Sequence, residues 1–146
     1  MKGAARPGNR QRGATAVEFG IVAVLLLSLL IGAMEFGRVL FYWNTAAEAT
    51  RLGARMAVVC DKDDSEIKVR MQEMLTLLTA DKISIDYQPS GCTIDTCQRV
   101  TVSIAPGVMV ATVMPFVPMT LALPSFSTTL PRESMSSEGG TNPVCS

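Results

Sequence analysis

From Phe19 to Met34 no residue is charged, and across Ala14–Met34 the single charge is Glu18. A run of about 20 apolar residues crosses the hydrocarbon core of a bilayer as a helix, so 14–34 is predicted as a transmembrane segment. The helical pattern does not stop there. Glu35-Phe-Gly-Arg-Val-Leu-Phe-Tyr-Trp43 places aromatics where the outer interface would lie. Thr45–Val59 is rich in Ala, Leu, Met, Glu and Arg and lacks Pro. Glu48 and Arg51 stand at i,i+3, and Arg51 and Arg55 at i,i+4, on one exposed face. Ala49, Gly53 and Ala57 form a row of small residues, which permits close approach of another helix. One helix is therefore predicted over 14–59, about 70 Å long, with about half beyond the bilayer. Gly32, Gly37 and Gly53 are its weak points.

Cys60-Asp-Lys-Asp-Asp64 breaks this pattern. Asp64 or Ser65 can cap a second helix over 65–79, whose apolar positions Ile67, Met71, Met74, Leu75 and Leu78 keep helical spacing. The period then changes to two. Ile83–Tyr87 and Val100–Ile104 alternate as half-buried antiparallel strands do, with Gly91–Gln98 as the turn between them. Residues 100–131 carry no charge, and Pro106, Pro115, Pro118 and Pro124 punctuate them. Spanning helices tolerate Pro, but this load favours an apolar loop, folded over the first helix or lying on the membrane surface, over a second span. Phe126–Leu130 reads as a last strand. The Ser-, Gly- and Asn-rich tail after Pro131 is expected to be loose except where Cys145 pins it. The fold class is thus α+β: a long N-terminal helix followed by a small domain with a second helix and a short antiparallel sheet.

The 146 residues balance 13 basic against 13 acidic side chains. Zero net charge lacks the basic footprint of a nucleic-acid partner. The charges are unevenly placed, however. Lys2, Arg6, Arg10 and Arg12 precede the apolar run without an acid among them. A basic flank orients that end to the cytoplasm and the remainder to the outside. Met1–Gly13 is polar and rich in Gly, Pro, Asn and Gln, and is expected to be irregular. The absence of histidine removes Ser-His-Asp and Cys-His nucleophile systems and the Cys/His zinc sites. No phosphate-binding glycine loop is present, and no cofactor is implied.

The most informative string is Arg12-Gly-Ala-Thr-Ala-Val-Glu-Phe19. A carboxylate at the start of a membrane helix costs several kcal/mol unless it is paired. If the chain is cut after Gly13, Ala14 gains an ammonium group. Glu18, one turn away, can neutralise that ammonium or the one on a neighbouring subunit. The arrangement of Gly13, Ala14, Glu18 and Phe19 before an apolar helix resembles the class III signal of type IV pilins. With Met34-Glu-Phe-Gly-Arg38 and Asn44-Thr-Ala-Ala-Glu-Ala-Thr-Arg-Leu-Gly-Ala-Arg55, it is similar to TadE-like proteins, the pseudopilins, or minor pilins, of bacterial tight-adherence (Flp-type) pilus systems. The resemblance covers about residues 10–58 and continues as a similar layout over 83–132. It implies cleavage after Gly13 by a membrane prepilin peptidase. It also implies assembly with other pseudopilins and the pilus machinery in the inner membrane, and a role in building an adhesive pilus. Leader, long helix and extracytoplasmic domain would then occupy 1–13, 14–59 and 60–146. Major pilins of this type are much shorter, which favours a minor pilin.

Other readings compete with this one. An ordinary signal peptide could be cut near Ile31-Gly-Ala33, or the helix could be an uncleaved anchor. In the latter case the protein is a membrane-anchored binding module of the cell envelope, with the apolar stretch Gly107–Leu123 holding a lipid or partner. Glu35 and Arg38 read either as a surface pair at the outer membrane face or as contacts to a neighbouring subunit. Cys92 and Cys97, with four residues between them, lack CxxC spacing and suit a local disulfide. Cys60 and Cys145 would then pair, and two other connectivities remain open. Asp61, Asp63 and Asp64 lack the glycine and alternation of a calcium loop and read as a helix-start cluster. Asp86 and Asp95 are the carboxylates that a small secreted enzyme would use, although no nucleophile–base set accompanies them. The sequence favours a non-enzymatic assembly component.

Overall fold

The apolar run and the amphipathic stretch after it form one continuous helix, α1, Gln11–Val59, in the computed structural model. The structure describes residues 11–113, 118–137 and 141–145. The expected irregular leader lies outside the described residues up to position 10, whereas Gln11, Arg12 and Gly13 are already helical. Gln and Arg are good helix formers, so nothing in their side chains stops the helix at Ala14. Nor does it break at Gly32, Gly37 or Gly53. Each glycine costs only about 1 kcal/mol against Ala, and the flanking residues favour a helix.

The two halves of α1 have different surroundings. Its most apolar window is wholly uncovered by the rest of the chain, and it is long and apolar enough to cross a membrane. This fits a single-pass membrane anchor. From Glu35 onward one face is buried, through Val39, Ala46, Ala49, Thr50, Ala54 and Ala57. That face is covered by elements that follow in the order α2 (Ser65–Met74), a 3-10 turn (Ala80–Lys82), β1 (Ile83–Gln88), β2 (Arg99–Ile104), β3 (Met109–Ala111), β4 (Thr120–Ala122) and β5 (Phe126–Pro131). The fold is α+β, with a three-stranded antiparallel sheet in the order β1-β2-β5 and a separate antiparallel pair, β3-β4.

Register explains why the sheet packs on the helix. Val100, Val102 and Ile104 of the central strand stand opposite Tyr87, Ile85 and Ile83 on one side and Leu130, Thr128 and Phe126 on the other. A period of two puts all of these on one face. The three β2 side chains are fully buried, each contributing about 1.5–3 kcal/mol of hydrophobic stabilisation. Thr50 of α1 and Thr128 of β5 join hydroxyls at 3.1 Å, which satisfies a polar pair inside this layer. The opposite sheet face is polar, with Thr101 and Thr129 bonded across the strands at 2.8 Å.

Three expectations are corrected. The second helix ends at Met74 rather than Thr79, because Leu75 takes an extended conformation. The Gln72 side chain donates to the Leu78 carbonyl at 3.0 Å, holding a turn through which Leu75 and Leu78 still reach the core. The uncharged stretch 107–123 contains a short hairpin instead of only a loop. Its inward residues Val108, Val110 and Leu123 are buried, and the Leu123 N–H donates to the Val108 carbonyl at 2.8 Å. The segment after Pro131 is not loose over 132–137. Glu133 and Met135 N–H groups donate to the Val58 carbonyl, and Ser136 N–H to Val59, at 2.7–3.2 Å. The last carbonyls of any helix lack intrahelical partners. Here the tail supplies them, and Met135 fills the core beneath.

Candidate processing and assembly site

Gly13 and Ala14 lie in the first turns of α1, exposed, and no atom stands within 4 Å of where a Gly13 side chain would project. Packing within this chain therefore does not require glycine at position 13. Glu18 is four residues beyond Ala14, so both lie on one helical face. Glu18 is exposed and has no hydrogen-bond or ion-pair partner among the described residues, and Phe19 beside it is exposed too. The site thus presents an unpaired carboxylate and an aromatic ring on a bare apolar helix. A carboxylate so placed calls for a cation from outside the present fold once lipid surrounds it.

The small-residue row has a different fate. Ala49, Gly53 and Ala57 are all buried inside the chain. A Cβ on Gly53 would stand 2.4 Å from the Met71 Sδ of α2 and 3.2 Å from Val102 Cγ1 of β2. The close approach that the row permits is made to its own second helix and sheet, which leaves no room there for a neighbouring helix. On the opposite, exposed face Glu48 and Arg51 form an ion pair.

Glu35 and Arg38 bridge α1 to the β3-β4 hairpin. The Glu35 carboxylate accepts from Arg38 Nη2 at 2.8 Å and Nε at 3.2 Å, and its other oxygen accepts the Val113 N–H at 2.7 Å. Arg38 also donates to the Ala111 carbonyl and lies 5.8 Å from the Tyr42 ring centroid. Glu35 is buried. Sequence reasoning paired these two residues but missed the hairpin backbone as their third partner. The available signal was an acid–base pair at the end of an apolar helix in a chain that also holds a long uncharged segment.

The cysteines pair as Cys60–Cys145 and Cys92–Cys97. The first bond holds the tail against the end of α1. There the Ser137 hydroxyl accepts the Asp61 N–H at 2.9 Å and donates to the Asp64 carboxylate at 3.0 Å, and Ser137 N–H donates to Asp61 at 3.0 Å. Asp64 also caps α2 by accepting the Glu66 N–H. Asp61 and Asp64 are thus engaged in closing loops. No group of three His, Cys, Asp or Glu side chains among the described residues is arranged to hold a metal. The second bond closes the β1–β2 connection, where Gly91 takes φ +77° in a turn closed by Cys92 N–H on the Pro89 carbonyl; that conformation favours glycine. Lys62 ties the two regions together, donating to the Cys92 carbonyl and lying over the Tyr87 ring. The Tyr87 hydroxyl accepts the Asp63 N–H at 3.0 Å. Burial pushes the Tyr87 phenol above its ordinary pKa, reinforced by the nearby Asp63 and Asp64 charges and opposed by that N–H. Asp86 is exposed on β1 and accepts from Ser84, and Asp95 is exposed in the connecting loop.

Comparison with curated proteins and with solved structures finds no match. Over residues 13–55, which hold Gly13, Glu18, Glu35, Arg38 and, of the small-residue row, Ala49 and Gly53, the chain matches the family model described as TadE-like protein.

Proposed function

We propose that this protein is a minor pilin, or pseudopilin, of a Tad-type adhesive pilus, matured by a prepilin peptidase that cuts after Gly13. The observation that carries this reading is the unpartnered Glu18 on an uncovered apolar helix, five residues beyond a glycine that packing does not require. Lys2, Arg6, Arg10 and Arg12 keep the leader in the cytoplasm. The helix crosses the inner membrane over about 14–34, and residues 60–146 form the domain on the outer side. Cleavage exposes an ammonium on Ala14. Glu18 pairs with that group, or with the equivalent group of a neighbouring subunit, as the helix enters a bundle with partner pseudopilins. The cost of an unpaired carboxylate in lipid, several kcal/mol, then acts as a register constraint, because only an aligned neighbour relieves it. The protein acts by packing and carries out no chemistry of its own.

Intact mass and N-terminal sequencing of membrane-extracted protein, made with and without the prepilin peptidase, test this. A peptidase-dependent start at Ala14 is expected. A start at Met1 would replace the proposal with an uncleaved anchored module, and one at Met34 with an ordinary secreted domain. Glu18→Ala should still be cut yet assemble poorly; normal piliation by that variant would remove the register role.

A further inference from the structure

The β3-β4 hairpin has two unlike faces. Val108, Val110 and Leu123 turn inward. Met109, Val113 and Met119 turn outward and are 54%, 70% and 47% exposed. No charged residue occurs anywhere in 100–131 to keep this face in water. Its position along α1 is defined by two contacts. The Ala111 carbonyl meets Arg38, and the Val113 N–H meets Glu35. From Ala111 to Val113 the chain therefore descends α1 toward its apolar end, reaching the level of the residue that directly follows the uncharged run. The helix aromatics Phe36, Phe41 and Trp43, all exposed, lie at that level or farther out. Aromatic side chains of this kind mark the membrane–water interface. Val113 thus stands at the membrane-side edge of that belt, and Met119, bonded through its backbone to Thr112, stands beside it.

We propose that the exposed Val113 and Met119 side chains of the β3-β4 hairpin form a second membrane contact, resting in the outer interface of the same bilayer that α1 crosses. The proposal rests on the reading that α1 spans with residues 14–34. The occupant of the exposed face is lipid, recognised by apolar burial and not by charge, since the segment offers no basic side chain to a headgroup. The Glu35–Arg38 pair suits this depth. Backbone polar groups in lipid must be satisfied internally, and the pair supplies an acceptor for Val113 N–H and a donor for the Ala111 carbonyl. In return, the hairpin helps satisfy a charged pair at the edge of the apolar run. Two points of contact, one helix and one hairpin, fix the tilt and rotation of the residues beyond 60 over the membrane, where a single helix would leave them free to swivel.

Depth-dependent quenching tests this on the full chain. Single-tryptophan variants are made in a Trp43→Phe background and reconstituted alone into phosphatidylethanolamine–phosphatidylglycerol vesicles whose acyl chains carry bromine near the carbonyl end or near the middle. Val113→Trp and Met119→Trp report the hairpin, Leu25→Trp reports the span, and Ile94→Trp, exposed on the loop closed by Cys92–Cys97, reports the water-facing region. Near-UV circular dichroism confirms native packing of each variant. The expected result is at least two-fold quenching of the hairpin tryptophans by the shallow bromines, strong quenching of Leu25→Trp by the deep ones, and little change at Ile94→Trp. Quenching at Leu25→Trp without quenching at either hairpin position would overturn the hairpin contact and leave the spanning helix standing. Loss of quenching at Leu25→Trp would overturn the spanning helix itself, and with it this inference. Because no other protein is present, a face that binds only a partner subunit would read as unquenched.

Discussion

The two disulfides close loops of very different length, and their contributions to stability should differ accordingly. Cys60 and Cys145 are 85 positions apart and Cys92 and Cys97 are 5 apart. In the chain-entropy treatment of a cross-link, the first bond disfavours the unfolded chain by about 4.6 kcal/mol at 25 °C and the second by about 2 kcal/mol. The long loop begins at the end of α1, so it lies outside the helix that detergent keeps folded, and its unfolded form is free to expand. The tail it restrains also covers the Val58 and Val59 carbonyls and inserts Met135 into the core. Cys60→Ser/Cys145→Ser should therefore lower stability well beyond Cys92→Ser/Cys97→Ser. With a urea slope of about 1.5 kcal/mol/M, the midpoints should fall by about 3 M and about 1.4 M respectively. Urea unfolding of the detergent-solubilised chain, followed by near-UV circular dichroism, measures both. Equal losses, or a larger loss from opening the short loop, would refute the reasoning. That result would mean that strain or residual structure outweighs loop closure here.

Other consequences follow from the packing. Gly53→Leu should destabilise the chain by about 1–3 kcal/mol through overpacking against Met71 and Val102; Gly37→Leu, with open space around it, should not lower the urea midpoint. Tyr87→Phe removes the acceptor for the Asp63 N–H and should cost about 1 kcal/mol in the same unfolding assay. Because burial raises the Tyr87 phenol, the folded chain holds that proton while an unfolded one releases it near pH 10. Stability linked to this group is complete below that pH and falls as pH rises through the folded pKa; in a Tyr42→Phe background, absorbance at about 295 nm should show a phenol ionising above pH 10. Arg38→Gln removes a donor to Glu35 and to the Ala111 carbonyl, and hydrogen exchange at the Val113 amide should quicken about ten-fold as the hairpin detaches.

Much of the architecture was legible because its signals are local. The α1 helix announces itself by a run without charge and then by helix-forming residues without Pro. The strands β1 and β2 announce themselves by strict alternation. Where the readings missed, a distant contact had overridden local preference. The second helix stops early because Leu75 turns extended, which lets it and Leu78 both reach the core. The tail is ordered because α1 leaves carbonyls that need donors, which no property of a Ser- and Gly-rich segment reveals. Gly53 illustrates both sides. Its membership in a small-residue row was visible, and so was the close approach that such a row permits. Which surface makes that approach was not.

Residue order alone makes one helix apolar enough to span a bilayer, sets its basic flank ahead of it, and puts a glycine and a glutamate five residues apart at its start. Such features depend on residue type and spacing along a single element. Folding in three dimensions is what turns the small-residue row to the chain's own core, sets a hairpin on Glu35 and Arg38 at the edge of the apolar run, and brings the tail back to Cys60–Asp64 through Ser137 and Cys145. Each of these joins elements separated by tens of residues. Long-range contacts of this kind form only where buried apolar area and satisfied backbone groups together outweigh the entropy of closing the loop, a balance that belongs to the folded whole and has no local signature.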